Sequence, residues 1–176
     1  MIFHKIDLPG AFVIEYEDIA DDRGFFARTW CRKEMQRQGL NGELVQCNTS
    51  FNKKKGTLRG MHYQASPNEE AKLVRCTKGA VYDVIIDLRP NSPTFRGWFG
   101  LELSDTNSKQ LYVPEGFAHG FLTLDDNTEV FYQMSAYYHP ESARGVRWND
   151  PAFGIHWPIP VAIISPKDIS YGDYQS

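Results

Sequence analysis

Apolar positions along most of this chain come in short runs divided by glycine, proline, asparagine or aspartate. From residue 43 onward the runs are "ELVQCNTSFN", "TLRGMHYQ", "KLVRCTKG", "AVYDVIIDLR", "RGWFGLELS", "KQLYVPEG", "AHGFLTLDD" and "EVFYQMSAYY". Their length and punctuation predict strands, and their number predicts an all-β sandwich or barrel. Upstream, "AFVIEYED" alternates in part and suits an early strand, and "DDRGFFARTW" gives a turn at Asp21 to Gly24 followed by an aromatic strand. "RKEMQRQG" carries good helix formers and a glycine stop, which predicts a short peripheral helix. "AVYDVIIDLR" is rich in β-branched residues, as for a strand packed between two sheets. The three prolines of "HWPIPVAIISPKDISYGDYQS" predict a tail that wraps over the barrel.

Strict alternation places Leu58, Gly60, His62 and Gln64 on one face of "TLRGMHYQ", with Arg59, Met61 and Tyr63 on the other. Arg59 and His62 then serve one cavity only if Gly60 hosts a bulge or twist.

Size and charge narrow the classes. The 176 residues fit one domain, 1–176, with a real core. A net charge of −3 offers no footprint for nucleic acid or an anionic membrane. The basic run Lys53-Lys54-Lys55 fits a solvated loop, and three widely spaced cysteines give no disulfide framework. With no signal peptide or long apolar span, the expectation is a soluble cytoplasmic protein. Aromatic residues make up 14% of the chain, a surplus that alone points to core as readily as to a site.

Candidate chemistry is found by elimination. The five histidines form no HxH, HxxxH or HExxH pair, so no local metal cluster is expected. Phosphate-binding glycine loops and a GxSxG elbow are missing as well. General acid–base chemistry is left: a histidine base, a lysine to stabilise an enolate oxygen, a carboxylate on the second imidazole nitrogen and a tyrosine acid. His62, Lys72, Asp168 and Tyr132 fit those roles, but spacing does not select them uniquely. Taken singly, they are better read as a satisfied core histidine, a snorkelling lysine, a turn or cap aspartate and a core tyrosine.

The segments "GTLRGMHYQ", "KLVRCTKGAVYDVIIDLRPNSPTF", "YVPEGFAHGF", "EVFYQMSAYYHP" and "WNDPAFGIHWP" carry more in combination. In this order they closely resemble the dTDP-4-dehydrorhamnose 3,5-epimerase family, from about "DDRGFF" to "ISPKD". The resemblance implies a cupin or jelly-roll β-sandwich barrel, a homodimer, no metal and no organic cofactor. It implies His62 as base, Tyr132 as proton donor, Asp168 as the partner of the histidine and Lys72 at the substrate carbonyl. Arg59, Gln46, Asn48, His119 and Lys167 match binding positions, and Tyr138 an aromatic that stacks on the base. Arg23 and Phe26 match groups lent across a dimer to phosphate and base. Arg28 stands where the family usually carries a glutamate near the nucleotide, and a second acidic position is replaced around Ala143 and Arg144. The implied substrate is dTDP-4-dehydro-6-deoxy-D-glucose, inverted at C3 and C5. The alternative is a single-centre epimerase on a related 4-keto-deoxysugar with the same or another nucleotide.

Overall fold

A computed structural model describes residues 1–174, so the last two positions of the tail lie outside the described residues. Two antiparallel sheets form a sandwich. The first orders β1 (Ile2–Lys5), β2 (Phe12–Glu15), β10 (Lys109–Val113), β7 (Lys72–Lys78), β12 (Thr128–Met134) and β5 (Gln46–Asn52). The second orders β13 (Ala143–Gly145), β6 (Thr57–Gln64), β11 (Phe117–Thr123), β8 (Ala80–Asp87) and β9 (Trp98–Ser104), and β14 (Ile163–Ile164) adds to β6. Between β2 and β5, an exposed hairpin of β3 (Ile19–Asp21) and β4 (Gly24–Phe26) precedes the short helix α1 (Arg32–Arg37). The second helix, α2 (Pro166–Ile169), lies in the tail. This is the all-β sandwich that the strand pattern predicts, in the jelly-roll form that the family resemblance implies.

The core fills one part of the space between the sheets. Val74, Cys76, Val81, Ile85, Leu103, Leu111, Val113, Phe121 and Val130 pack there, all buried. Each such side chain is worth about 1.5–3 kcal/mol when taken out of water. Strand β8 is buried along nearly its whole length, but the sequence reading of its cover needs correcting. Its inner face meets the opposite sheet, and its outer face is covered by Val146, Phe153, Trp157 and Tyr174. The later part of the chain thus acts as the second cover. Lys53, Lys54 and Lys55 are exposed, as a solvated loop should be.

Between β6 and β11 the register shifts. His62 pairs with His119 and Arg59 with Phe121, so three steps along β6 match two along β11. This extra residue turns Arg59 to the same side as His62, which strict alternation forbids. Gly60 makes it feasible: its φ is 142°, and a Cβ there would lie 2.6 Å from the Cα of Gly120. Gly60→Ala is therefore expected to destabilise the fold by about 1–3 kcal/mol or more. In thermal melts that loss appears as a midpoint lowered by about 2–4 °C per kcal/mol.

Candidate active site

Where the apolar core ends, the inner faces turn polar and enclose a cavity of about 720 Å³. The registers explain which side chains meet. Met134 pairs with both Lys72 and Gln46, and Tyr132 pairs with Val74 and Asn48, so two adjacent rows on the first sheet point inward together. From the second sheet β6 contributes Arg59 and His62, and the tail contributes Lys167, Asp168 and Tyr171. Tyr138 and Arg144 complete the rim.

His62 and Asp168 form a dyad. The His62 Nε2 lies 2.7 Å from Oδ1 of Asp168, while Oδ2 accepts from the Gly60 N–H at 3.4 Å. Ser165 caps α2, its Oγ accepting from the Asp168 N–H at 3.0 Å, which fixes the carboxylate under β6. Asp168 is buried, and burial alone raises a carboxyl pKa. That effect is outweighed by the His62 hydrogen bond and charge, the Gly60 N–H and the Ser165 hydroxyl, so Asp168 titrates below the ordinary carboxylate range. An ionised Asp168 keeps the proton on Nε2 and leaves the lone pair on Nδ1 as the basic one.

Lys72 is buried against Glu70, with Nζ 2.9 Å from Oε1. The other Glu70 oxygen accepts from Gln64 Nε2 at 3.0 Å, and Gln64 Oε1 accepts the His139 N–H at 2.6 Å. This chain of bonds anchors the ammonium group without consuming all its donors. Burial pushes the Tyr132 phenol up; the Arg59 charge opposes this and the Glu70 charge adds to it. Arg59 is itself held by Asn52 Oδ1 at 2.7 Å, and Asn48 Nδ2 approaches the Met134 sulfur at 3.0 Å.

The lining carries four cations, Arg59, Lys72, Arg144 and Lys167, against two carboxylates, Glu70 and Asp168. A chain of net charge −3 thus concentrates positive charge at one cavity, as a polyanionic ligand requires. Among the described residues no group of three His, Cys, Asp or Glu side chains comes together as a metal site.

Of the thirteen expected positions, His62, Lys72, Tyr132, Asp168, Gln46, Asn48, Arg59, Tyr138 and Lys167 line this cavity. Four do not. His119 is buried beside it, with Nε2 2.9 Å from Asp83 Oδ2. Arg23, Phe26 and Arg28 are exposed on or after the β3–β4 hairpin, Arg23 bonded to Asp21 and Arg28 to Glu34 at 2.9 Å.

Residues 5–175 match the family model described as dTDP-4-dehydrorhamnose 3,5-epimerase. The enzyme of that name from Methanothermobacter thermautotrophicus is 44% identical over 169 residues, covering 94% of this chain and 90% of the relative. The chain belongs to this family. Solved structures of similar enzymes include ligand-bound ones. The Bacillus anthracis enzyme with TDP and pyrophosphate bound superposes with a TM-score of 0.95 at 40% identity, covering 98% of this chain and 99% of the other. The Legionella pneumophila enzyme in complex with dTDP-4-keto-L-rhamnose superposes at 0.90 with 36% identity, covering 99% of both.

Glu70 and Tyr171 are among the cavity residues that escaped the sequence reading of this family member. Glu70 had a usable signal, since a lysine inside a buried strand needs a nearby carboxylate. Tyr171 had none, because "SYGDY" carries only turn character.

Asp168→Asn tests the dyad. Without the carboxylate the Nε2–H tautomer is no longer enforced, and turnover is expected to fall by about 10²–10⁴-fold. The same change should alter acid stability. Because the folded pKa is depressed, ionised Asp168 stabilises the fold above about pH 3.9 and loses that contribution as pH falls through its lower folded value. Urea melts between pH 6 and pH 3 (roughly spanning that window) should show a shallower acid limb for Asp168→Asn.

Proposed function

We propose that this protein inverts C3 and C5 of dTDP-4-dehydro-6-deoxy-D-glucose, giving dTDP-4-dehydro-L-rhamnose. The observation that carries the reading is the His62–Asp168 dyad in a cavity that Lys72 and Tyr132 also line. A C4 ketone acidifies the hydrogens on both neighbouring carbons. His62 takes each proton through its free nitrogen, and the electron pair moves to the carbonyl oxygen as an enolate. Lys72 hydrogen-bonds that oxygen, and a preorganised donor of this kind is worth about 2.7–4 kcal/mol in the transition state. Tyr132 returns a proton to the opposite face, inverting the centre; His62 then gives its proton to water and Tyr132 regains one from water before the second centre reacts. Burial raises its phenol above the usual value near 10, so it stays protonated at neutral pH and suits the acid role.

Arg59 and Lys167 bind the diphosphate, with guanidinium geometry matching phosphate oxygens at Arg59. Gln46 and Asn48 orient the sugar, and Tyr138, half exposed at the rim, stacks on the base. The enzyme acts in the cytoplasm, without a metal or organic cofactor, as a homodimer. The dimer reading is supported by the β3–β4 hairpin, where Ile19, Phe25 and Phe26 are 68%, 63% and 69% exposed. Such apolar surface favours a partner. Arg23 and Phe26 then serve the partner's cavity, where Arg23 meets phosphate and Phe26 the base. Arg28 and His119 contribute from outside the lining, Arg28 near the nucleotide end and His119 from behind the cavity wall.

Incubation with the substrate in deuterated water, followed by NMR, tests the reading. Deuterium at both C3 and C5 with an L-rhamno product is expected. Exchange at one carbon makes the protein a single-centre epimerase, and no exchange on the dTDP sugar removes the proposal.

A further inference from the structure

Beyond the dyad, the segment that supplies Asp168 brings a second side chain to the base. Tyr171 lies three residues further along, lines the cavity, and sets its ring edge-on to His62 with centroids 6.1 Å apart and planes at 69°. The slot it fills is built into the sheet. Gly145 is the register partner of His62 on β13, so a side chain at Gly145 would project beside the imidazole. Gly145 has none, and the Tyr171 ring occupies the space: a Cβ there would lie 2.3 Å from the ring.

The tail is pinned on both sides of this contact. Upstream, Ser165 caps α2 and Asp168 is buried under β6. Downstream, Asp173 pairs with Arg147, the buried Asp150 carboxylate accepts the Tyr174 N–H, and the Tyr174 ring packs 5.5 Å from that of Phe153. A ring held this way cannot drift from His62 without breaking contacts at either end.

We propose that Tyr171 is a positioning residue for the general base: its ring fixes the plane of the His62 imidazole and shields the His62–Asp168 bond from bulk water. The inference rests on the epimerase reading above. One hydrogen bond to Asp168 leaves the imidazole free to tilt, and the ring edge removes that freedom. Proton abstraction from carbon depends on this alignment, since small misplacements of reacting groups are costly. The phenol adds no charge, because burial first, and then the Asp168 carboxylate, push its ionisation upward.

Two measurements test this together. In steady-state kinetics, Tyr171→Ala should lower kcat about tenfold while KM changes little, with exchange at C3 and C5 falling equally. Tyr171→Phe should restore most of that loss, because the ring and not the hydroxyl does the positioning. In the substrate-free protein, nitrogen-15 NMR of His62 should show the Nε2–H tautomer for the wild type and a mixed or exchange-broadened imidazole for Tyr171→Ala. Wild-type kcat in Tyr171→Ala would overturn the inference, as would a raised KM with kcat kept, which makes the ring a substrate contact. Failure of Tyr171→Phe to restore activity would overturn it too. A wild type inert on the dTDP sugar whose His62 signal still responds to Tyr171→Ala supports the contact and removes only the functional reading.

Discussion

Replacement of His62 by alanine is expected to lower turnover by about 10²–10⁴-fold and to stop deuterium entering at both C3 and C5. Both carbons flank one ketone, and the cavity lining includes one imidazole, hydrogen-bonded to Asp168, so the proposed mechanism has a single base serve both centres. The fold should tolerate the change. The His62 side chain is 42% exposed to the cavity, and Asp168 keeps the Gly60 N–H and the Ser165 cap after the ring is gone. A thermal midpoint close to that of the wild type, measured beside the exchange assay, separates loss of chemistry from loss of structure. Wild-type exchange at either carbon would mean that another group is the base there.

Lys72→Met should damage both folding and chemistry. Lys72 and Glu70 are buried together at 2.9 Å. Removing the cation leaves a buried carboxylate without its partner, at a cost of about 3–5 kcal/mol. In the proposed mechanism, loss of the Lys72 donor at the enolate oxygen removes a further 2.7–4 kcal/mol or so from transition-state stabilisation, roughly 10²–10³ in kcat. The double variant Lys72→Met/Glu70→Gln distinguishes the two effects. It should regain most of the stability in denaturant titrations, because no lone charge stays buried, and none of the activity. Recovery of activity in the double variant would show that Lys72 serves only to neutralise Glu70.

The eight central strands were legible because each presents a short apolar run between turn residues, alternating where one face is buried and continuous where both are, as in β8 and β11. Strands β1, β3, β13 and β14 escaped. They span Ile2–Lys5, Ile19–Asp21, Ala143–Gly145 and Ile163–Ile164 at sheet edges, where pairing with a neighbour and not the pattern decides the conformation. The meeting of Arg59 and His62 was half legible: Gly60 marked where a bulge was needed, but only the register with β11 shows the extra residue. Asp83 inside "VYDVIID" was not read as a buried carboxylate, and only the structure shows that His119 is its partner. The segment from Asp21 to Phe26 read as an ordinary turn and aromatic strand, yet the side chains of the hairpin are exposed, because no other described residue covers them.

The central claim is that abstraction and return of the proton belong to different groups, His62 on one side of the sugar and Tyr132 on the other. The ratio of solvent exchange to inversion for Tyr132→Phe in deuterated water tests this most directly. With the base intact and the acid gone, the substrate should keep exchanging its C3 or C5 hydrogens with retention while inverted product falls sharply, so the ratio rises. If exchange and inversion fall in equal proportion, one group handles the proton on both faces and the two-sided account is wrong.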